Sequence, residues 1–297
     1  MKRMNMEAMT DIEAMRDTYV AFGSFDGVHK GHLELLNALS EKGKKDQKTT
    51  VVVSCHFPSF MKEGVLTTEE EKAYFIEATG IDYFISCNME EEGLSREEFL
   101  KEIVLGKLGA GMIMTAEHER GLADLKKTAE PYGCEVCTIE SVLYKDEVIS
   151  SELVRKYFME CKFAEVTQMC GHTYVMIGEV VHGKALGRTV GMPTANLGVG
   201  DSKLKPPSGV YATRTSVEGE YYQGLTNIGT RPSVDDLPVI TIETFLLDFS
   251  KDIYGKKLIL EVHLFIRGVQ KFDNLEQVQN QVQKDLAQVK DYLDALS

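Results

Sequence analysis

A chain of 297 residues, 43% of them hydrophobic, can bury the core of one large domain or of two ordinary ones, and we expect two. The formal net charge of −13 argues against a nucleic-acid binder, because such a protein needs positive charge to displace counterions from phosphates. The sequence has no run of about 18 apolar residues, and residues 1–17 carry charges where a signal peptide would have an apolar core. We therefore expect a cytoplasmic protein that acts on small molecules, with no nucleic-acid or membrane partner and no obligate protein partner.

The segment from Tyr19 to about Cys161 alternates short apolar runs with helical stretches, a pattern typical of a parallel sheet covered by helices. The predicted strands are Tyr19–Phe22, Thr50–Ser54, Tyr83–Cys87, Met112–Thr115 and Glu135–Ile139. The predicted helices are Gly31–Lys42, Thr68–Thr79, Ser95–Leu105 and Leu122–Tyr132, the third opened by a capping box of Ser95 and Glu98. The N-terminal half is thus predicted to be an α/β domain with a doubly wound parallel sheet.

A glycine-containing turn joins the first predicted strand to the first predicted helix, as a phosphate site requires. Small residues let the backbone approach a ligand, and the helix start supplies free N–H groups and partial positive charge. The turn matches neither a Walker loop nor the dinucleotide-binding G-x-G-x-x-G pattern. His29 and His32 are three residues apart, on the same side of the helix start, and could donate hydrogen bonds to phosphate oxygens. The alternative is that one histidine caps the helix and the other packs, but the spacing of Gly23, Gly27 and Gly31 favours the phosphate site.

The six cysteines are too scattered to form a disulfide framework. Cys134 and Cys137 have the spacing of half a zinc site, but no second pair follows and the segment alternates as a strand does. Zinc or redox chemistry there is therefore the less favoured alternative.

After Cys170 the sequence changes to short β segments separated by glycine-containing turns, which predicts a small closed barrel. The predicted strands are Val175–Val181, Val210–Thr215, Tyr222–Asn227, Ile240–Phe249 and Leu258–Phe265. A final helix from about Asn274 to Leu296 is predicted to pack on the barrel through an apolar face that begins at Leu275, with a dimer seam as the alternative. We expect the two domains to be residues 1–168 and 169–297.

The N-terminal turn, Phe25-Asp26-Gly27-Val28-His29-Lys30-Gly31-His32, resembles the His-x-Gly-His nucleotidyltransferase superfamily, in the version found in bacterial FAD synthetases. Those proteins join an FMN adenylyltransferase domain to a riboflavin kinase domain. The resemblance continues through Leu66–Lys72 and Gly80–Tyr83. It implies that His29 and His32 contact the phosphates of ATP and act in catalysis. It also implies that the loop residues bind the nucleotide, namely Gly23, Ser24, Phe25, Asp26, Gly27 and Gly31.

A second family element is a Ser-Ser-Thr segment that ends in arginine and helps to bind the triphosphate. Here Ser150, Ser151 and Arg155 match that element, while Glu152 stands in place of the threonine. The chain also departs from the family pattern at residues 54–59, where a Phe-x-Pro-His-Pro segment is usual, and at the shorter loop 116–121.

The second half resembles the riboflavin kinase domain over nearly all of its length, which implies a kinase-type barrel with a terminal helix. The motifs that carry the resemblance are Gly178–Gly183, Gly187–Leu197, Pro207–Tyr211, Asn227–Pro232, Ile242-Glu243, Leu247–Phe249 and Asp252–Gly255. Phosphoryl transfer needs a metal, donors around the γ-phosphate and a base for the hydroxyl proton. Thr194 and Asn196 offer hard oxygen ligands suited to Mg²⁺, and they would share one face of an extended segment.

The resemblance implies that Glu243 accepts the proton of the riboflavin 5′-hydroxyl. Local alternation alone would make Glu243 an exposed strand residue between Ile242 and Thr244. The resemblance also implies ligand contacts for the glycines and their neighbours, namely Gly183, Gly187, Arg188, Gly191, Pro193 and Asn227.

The function expected from these motifs is flavin cofactor synthesis with ATP and Mg²⁺. Riboflavin would become FMN in the C-terminal barrel, and FMN would become FAD in the N-terminal domain. Two alternatives stay open: a riboflavin kinase whose N-terminal domain only binds nucleotide, and a flavin-sensing regulatory protein.

Overall fold

The computed structural model describes residues 1–5, 15–56, 64–182, 192–231 and 239–296, which divide into two compact units, Met1–Leu153 and Val154–Ser297. The strands of the first unit are β1 (Lys2–Asn5), β2 (Thr18–Gly23), β3 (Thr50–His56), β4 (Tyr83–Asn88), β5 (Ala110–Ala116), β6 (Glu135–Ile139) and a small hairpin of β7 (Leu143–Tyr144) and β8 (Glu147–Val148). The main sheet is six-stranded and parallel, in the order β1-β4-β3-β2-β5-β6. The predicted α/β domain is confirmed.

The helices of the first unit connect these strands. They are α1 (Lys30–Asp46), α2 (Glu69–Glu77), α3 (Arg96–Glu98, continuing as a π-helix over Phe99–Lys107) and α4 (Leu122–Ala129, followed by a 3₁₀ turn over Glu130–Tyr132). The predicted capping box at α3 is present, because Ser95 accepts from the N–H of Glu98 and Glu98 accepts from the N–H of Ser95. Apolar side chains cover both faces of the sheet, which is typical of a parallel sheet.

The direction of winding changes between β2 and β5. From β2 the chain adds β3 and β4 on one side, and it then adds β5 and β6 on the other. In open α/β sheets the carboxyl ends of the strands at such a switch point form a ligand crevice. The turn that contains His29 and His32 follows β2 and therefore lies at this crevice.

The second unit begins with the end of α5 (Ser151–Met159) and with α6 (Phe163–Cys170), and continues as a closed antiparallel barrel. Its strands are β9 (Tyr174–Val181), β10 (Ala195–Gly198), β11 (Gly209–Val217), β12 (Glu220–Arg231), β13 (Val239–Leu246) and β14 (Lys257–Arg267), in the spatial order β10-β13-β12-β11-β14-β9. The predicted closed barrel is confirmed, although α5, α6 and β10 were not predicted from the sequence.

The last helix, α7 (Leu275–Asp294), packs on the outside of the barrel through its C-terminal half. Val289 and Leu293 are fully buried against Val210, Ala212 and Leu225, which bears out the predicted packing role. Leu275, at the start of the predicted apolar face, is 51% exposed. No helix within the described residues is long and apolar enough to cross a membrane.

A buried ion pair between Arg267 and Asp285 also holds α7 on the barrel. Asp285 is 2% exposed and accepts three hydrogen bonds, at 2.8 to 3.2 Å, from the guanidinium of Arg267. Replacing Asp285 with alanine leaves a largely buried cation uncompensated and should cost about 3 kcal/mol of stability. Thermal unfolding of the barrel checks this, with exposed Asp291→Ala as the control. Equal midpoints for the two variants would contradict it.

Candidate active sites

The turn after β2 is held in an unusual backbone shape by hydrogen bonds from a distant segment. Phe25, Gly27 and Val28 have φ angles of +47°, +82° and +39°, in the left-handed region. The N–H of Gly27 donates to Thr67 Oγ1 at 2.8 Å, and the N–H of Thr67 donates to Asp26 Oδ1 at 3.0 Å. These reciprocal bonds make the turn a preformed loop, which we call the phosphate loop (Gly23–His32).

The phosphate loop ends at the positive end of α1. His29 occupies the N-cap position, but its side chain makes no capping hydrogen bond, and the first turn of the helix contains no acidic residue. The partial positive charge of the helix start is therefore not cancelled locally. The capping role considered for one histidine is not seen. Of the predicted ligand-binding residues here, Gly23 ends β2, Ser24 is exposed, and Phe25, Asp26 and Gly27 are buried in the turn.

The two histidines form a stacked pair. The centroids of their rings are 3.6 Å apart with an interplanar angle of 18°, and the ring of Phe25 meets His32 edge to face at 5.2 Å. Gly31 allows this packing, because a Cβ atom there would lie 3.2 Å from Nδ1 of His29. Burial, the neighbouring His29 and the Lys72 charge hold the pKa of His32 well below its usual value. His32 is therefore an uncharged hydrogen-bonding group at neutral pH.

The start of α5 is tied to the phosphate loop. Ser151 Oγ donates to the carbonyl of Asp26 at 2.8 Å, and Ser150 Oγ accepts from the N–H of Leu153 at 3.1 Å. The structure thus brings Ser151 to the loop, as the family pattern requires. Glu152, which replaces the usual threonine, is exposed, and Arg155 lies one turn along the same helix.

A polar cluster that the sequence analysis did not single out lies at the carboxyl ends of β3 and β4. We call it the Lys72 cluster, and its members are Ser54, His56, Glu69, Lys72 and Ser86. The ammonium of Lys72 donates to Glu69 Oε1 at 2.6 Å and to Ser54 Oγ at 3.1 Å. His56 Nε2 lies 3.1 Å from the same Glu69 oxygen and 3.0 Å from Ser86 Oγ. Burial opposes ionisation of Glu69, but His56 and Lys72 outweigh it and lower its pKa to about 2.

The depressed pKa of Glu69 predicts a pH-dependent contribution to stability. The carboxylate pKa is about 2 in the folded chain against 4.5 normally, so its ionised form is stabilised by folding. The contribution is complete above pH 4.5 and is lost as the pH falls towards 2; its size should be of the order of 2 kcal/mol after solvent screening. Glu69→Gln should therefore destabilise the N-terminal unit at pH 6 and much less at pH 3. Denaturant unfolding at the two pH values checks this, with exposed Glu102→Gln as control, and a pH-independent difference would contradict it.

In the barrel, three predicted site residues lie side by side on adjacent strands. Glu243 on β13 is in register with Asn196 on β10 and with Asn227 on β12. Residues directly paired across neighbouring strands project to the same face of a sheet, so these three side chains share one face. Asn227 is exposed, and Asn196 and Glu243 are partly buried. We call this row the Glu243 row.

A cavity of about 310 Å³ is lined by Ala195 and Thr244, the chain neighbours of Asn196 and Glu243. Pro193 and Thr194, just before Ala195 in the chain, line it as well. Its other walls are largely apolar and are formed by Val180, Leu246, Phe249, Ile253 and Tyr254, with Lys251 and Asp252 among the polar lining residues. His182 stacks on Tyr254 with ring centroids 4.1 Å apart. Four predicted ligand-binding residues, Gly183, Gly187, Arg188 and Gly191, lie outside the described residues.

Comparisons with known proteins match both halves of the chain. A family model described as riboflavin kinase matches residues 170–293, and one described as FAD synthetase matches residues 11–153. A curated bifunctional riboflavin kinase/FMN adenylyltransferase of Bacillus subtilis is 30% identical over 301 residues, covering 92% of each chain. One from Escherichia coli K12 is 30% identical over 282 residues, covering 90% of each. A crystal structure titled as a macrolide-efflux protein from Streptococcus pneumoniae has a TM-score of 0.83 and 25% identity, covering 98% of this chain and 99% of that one.

Proposed function

The chain belongs to the family of bifunctional riboflavin kinase/FMN adenylyltransferases, and we propose here which of its residues carry each of the two reactions. It phosphorylates riboflavin to FMN and adenylylates FMN to FAD, with ATP and Mg²⁺. Neither the kinase-only alternative nor the flavin sensor is favoured, because family models of both activities match and the bifunctional relatives align over at least 90% of the chain.

The kinase reaction belongs to the barrel, and the observation that carries this assignment is the Glu243 row on β10 and β13, two strands that also contribute lining residues to the cavity. The apolar walls suit the base of ATP, and Thr194, a lining residue two positions before Asn196, would direct the phosphates towards the row. Glu243 then accepts the proton of the riboflavin 5′-hydroxyl as that oxygen attacks the γ-phosphorus. The bond between that phosphorus and the β-bridging oxygen breaks, and ADP leaves.

Two residues at the start of β10 fit Mg²⁺. Thr194 and Asn196 supply a hydroxyl and an amide carbonyl, which are the hard oxygen ligands that this ion accepts. When bound, the metal neutralises phosphate charge. Asn227, at the other side of Glu243, is placed to orient the flavin hydroxyl or to fix the carboxylate.

Adenylyl transfer belongs to the phosphate loop. The loop N–H groups, the start of α1 and the two histidines line the crevice where a triphosphate would lie. We assign His29 and His32 as hydrogen-bond donors to the phosphate oxygens while a phosphate oxygen of FMN attacks the α-phosphorus and pyrophosphate leaves. Ser150, Ser151 and Arg155 extend this contact along the start of α5.

We place the catalytic domains at residues 1–168 and 169–297. The compact units divide at Leu153, and the two family models end at 153 and begin at 170, so α5 and α6 are the connecting helices. We also propose a cytoplasmic location, because all six cysteines are free thiols, as a reducing compartment would keep them. The substrates are small molecules, and we propose no nucleic-acid, membrane or obligate protein partner.

A product analysis tests the assignment of both reactions. The purified full chain is incubated with Mg-ATP and either riboflavin or FMN, and the flavins are separated by chromatography. We expect FMN and then FAD from riboflavin, and FAD alone from FMN. FMN without any FAD would remove adenylyl transfer from the phosphate loop, and bound flavin without product would favour the sensor.

A further inference from the structure

Lys72 is a buried cation at the edge of the sheet where the phosphate loop begins. Its side chain is 2% exposed, and its ammonium is held at Ser54 near the end of β3. Ser54 is in register with Gly23 on β2, which is the first residue of the phosphate loop. The Lys72 ammonium therefore lies beside the loop rather than on the outer surface of α2.

The charge of Lys72 acts on the histidine pair. The positive charge of Lys72 is among the causes that lower the pKa of His32. His32 therefore experiences the positive potential of the Lys72 ammonium.

A triphosphate at the loop needs positive charge that His32 does not supply. The low pKa of this histidine keeps its ring uncharged near neutral pH. The ammonium of Lys72 has three N–H groups, and two of them are used by Glu69 and Ser54 within the part of the chain that the structure describes. Apolar side chains of similar volume often replace a buried ion pair without loss of stability, so packing alone does not require a lysine at this position.

We propose that Lys72 is a third basic group of the adenylyl-transfer site, contacting the triphosphate of ATP, that Glu69 positions its ammonium, and that His56 holds Glu69. The inference rests on the assignment of adenylyl transfer to the phosphate loop. As a phosphate oxygen of FMN bonds to the α-phosphorus, the bond to the β-bridging oxygen breaks and negative charge grows on the departing pyrophosphate. Lys72 offsets that charge.

Paired activity measurements on the full chain test this role. Lys72→Met removes the charge with little change in length, and FAD formation from FMN should fall about 100-fold in kcat/KM, as for loss of one transition-state donor. The inhibition constant of pyrophosphate should rise about 10-fold, since a contact to that product is lost. Lys72→Arg should retain more activity than Lys72→Met. Riboflavin phosphorylation is the internal control, and Lys101→Met, which breaks an exposed Lys–Glu pair on α3, is the matched variant.

The positioning role of Glu69 is tested by combining its substitution with that of Lys72. Glu69→Gln should lower FAD formation, but in the Lys72→Met background it should cause no further loss, because the residue it positions is gone. Additive losses would assign Glu69 a separate, structural role.

Wild-type FAD formation in Lys72→Met, or pyrophosphate inhibition unchanged in both Lys72 variants, would overturn the proposal for Lys72 alone. Absence of FAD formation in the wild type would overturn the site assignment and this inference together. If Lys72→Met does not fold, Lys72→Gln takes its place, and unchanged pyrophosphate inhibition in that variant would overturn the proposal.

Discussion

Replacing Glu243 with glutamine should abolish riboflavin phosphorylation and leave adenylylation of FMN unchanged. Glutamine keeps the size of the side chain and its place between Asn196 and Asn227, but it cannot accept a proton. Loss of a general base costs about 10²- to 10⁴-fold in rate, and loss at the upper end would bring the kinase close to background. Initial rates of FMN formation from riboflavin and of FAD formation from FMN, measured on the same preparation, check the prediction.

The control is Glu220→Gln, which changes an exposed glutamate at the opposite end of the strand that carries Asn227. Both activities should persist in this variant. Retention of kinase activity in Glu243→Gln would remove Glu243 from the chemistry, and the row would then be a binding surface only. Loss of both activities together with a lower unfolding temperature would show damage to the barrel instead.

The barrel site illustrates which part of a site can be predicted from sequence. Thr194, Asn196 and Glu243 were singled out by residue type and motif, but β10 was not predicted as a strand, because it spans only Ala195–Gly198. Local alternation correctly described Glu243 as a strand residue, but the side chain is partly buried where alternation predicted exposure. What brings Asn196 and Asn227 alongside it is strand register, which is set by pairing between segments far apart in sequence.

In the N-terminal unit, the sequence did not predict one strand and one buried charge. The alternation of strands and helices predicted the parallel sheet, whereas β1 was missed because its residues, Lys2–Asn5, have no apolar pattern and are held by backbone pairing with β4. Lys72 entered the sequence analysis only as the last residue of the family-matching segment Leu66–Lys72, without a role. Charged residues are seldom buried unless paired, and the pairing of Lys72 with Glu69 and Ser54 exists only in the folded chain.

Replacing His32 with alanine should affect only FAD formation. The ring is stacked on His29 and is uncharged at neutral pH, so its contribution is a hydrogen bond to developing phosphate charge rather than a full positive charge. Removing one such donor should lower kcat for FAD formation by about 10²- to 10³-fold while riboflavin phosphorylation is unchanged.

His32→Asn separates hydrogen bonding from packing, because the amide can donate a hydrogen bond but cannot stack as an imidazole does. If donation is what matters, the asparagine variant should keep more activity than alanine at every pH, and its rate should not follow the titration of an imidazole. The control is His172→Ala, in a histidine next to the barrel whose ring nitrogen contacts the carbonyl of Thr173. Equal losses of FAD formation in His32→Ala and His32→Asn would instead show that the ring acts by stacking on His29. The charge for the triphosphate would then have to come from Lys72, Arg155 and the start of α1.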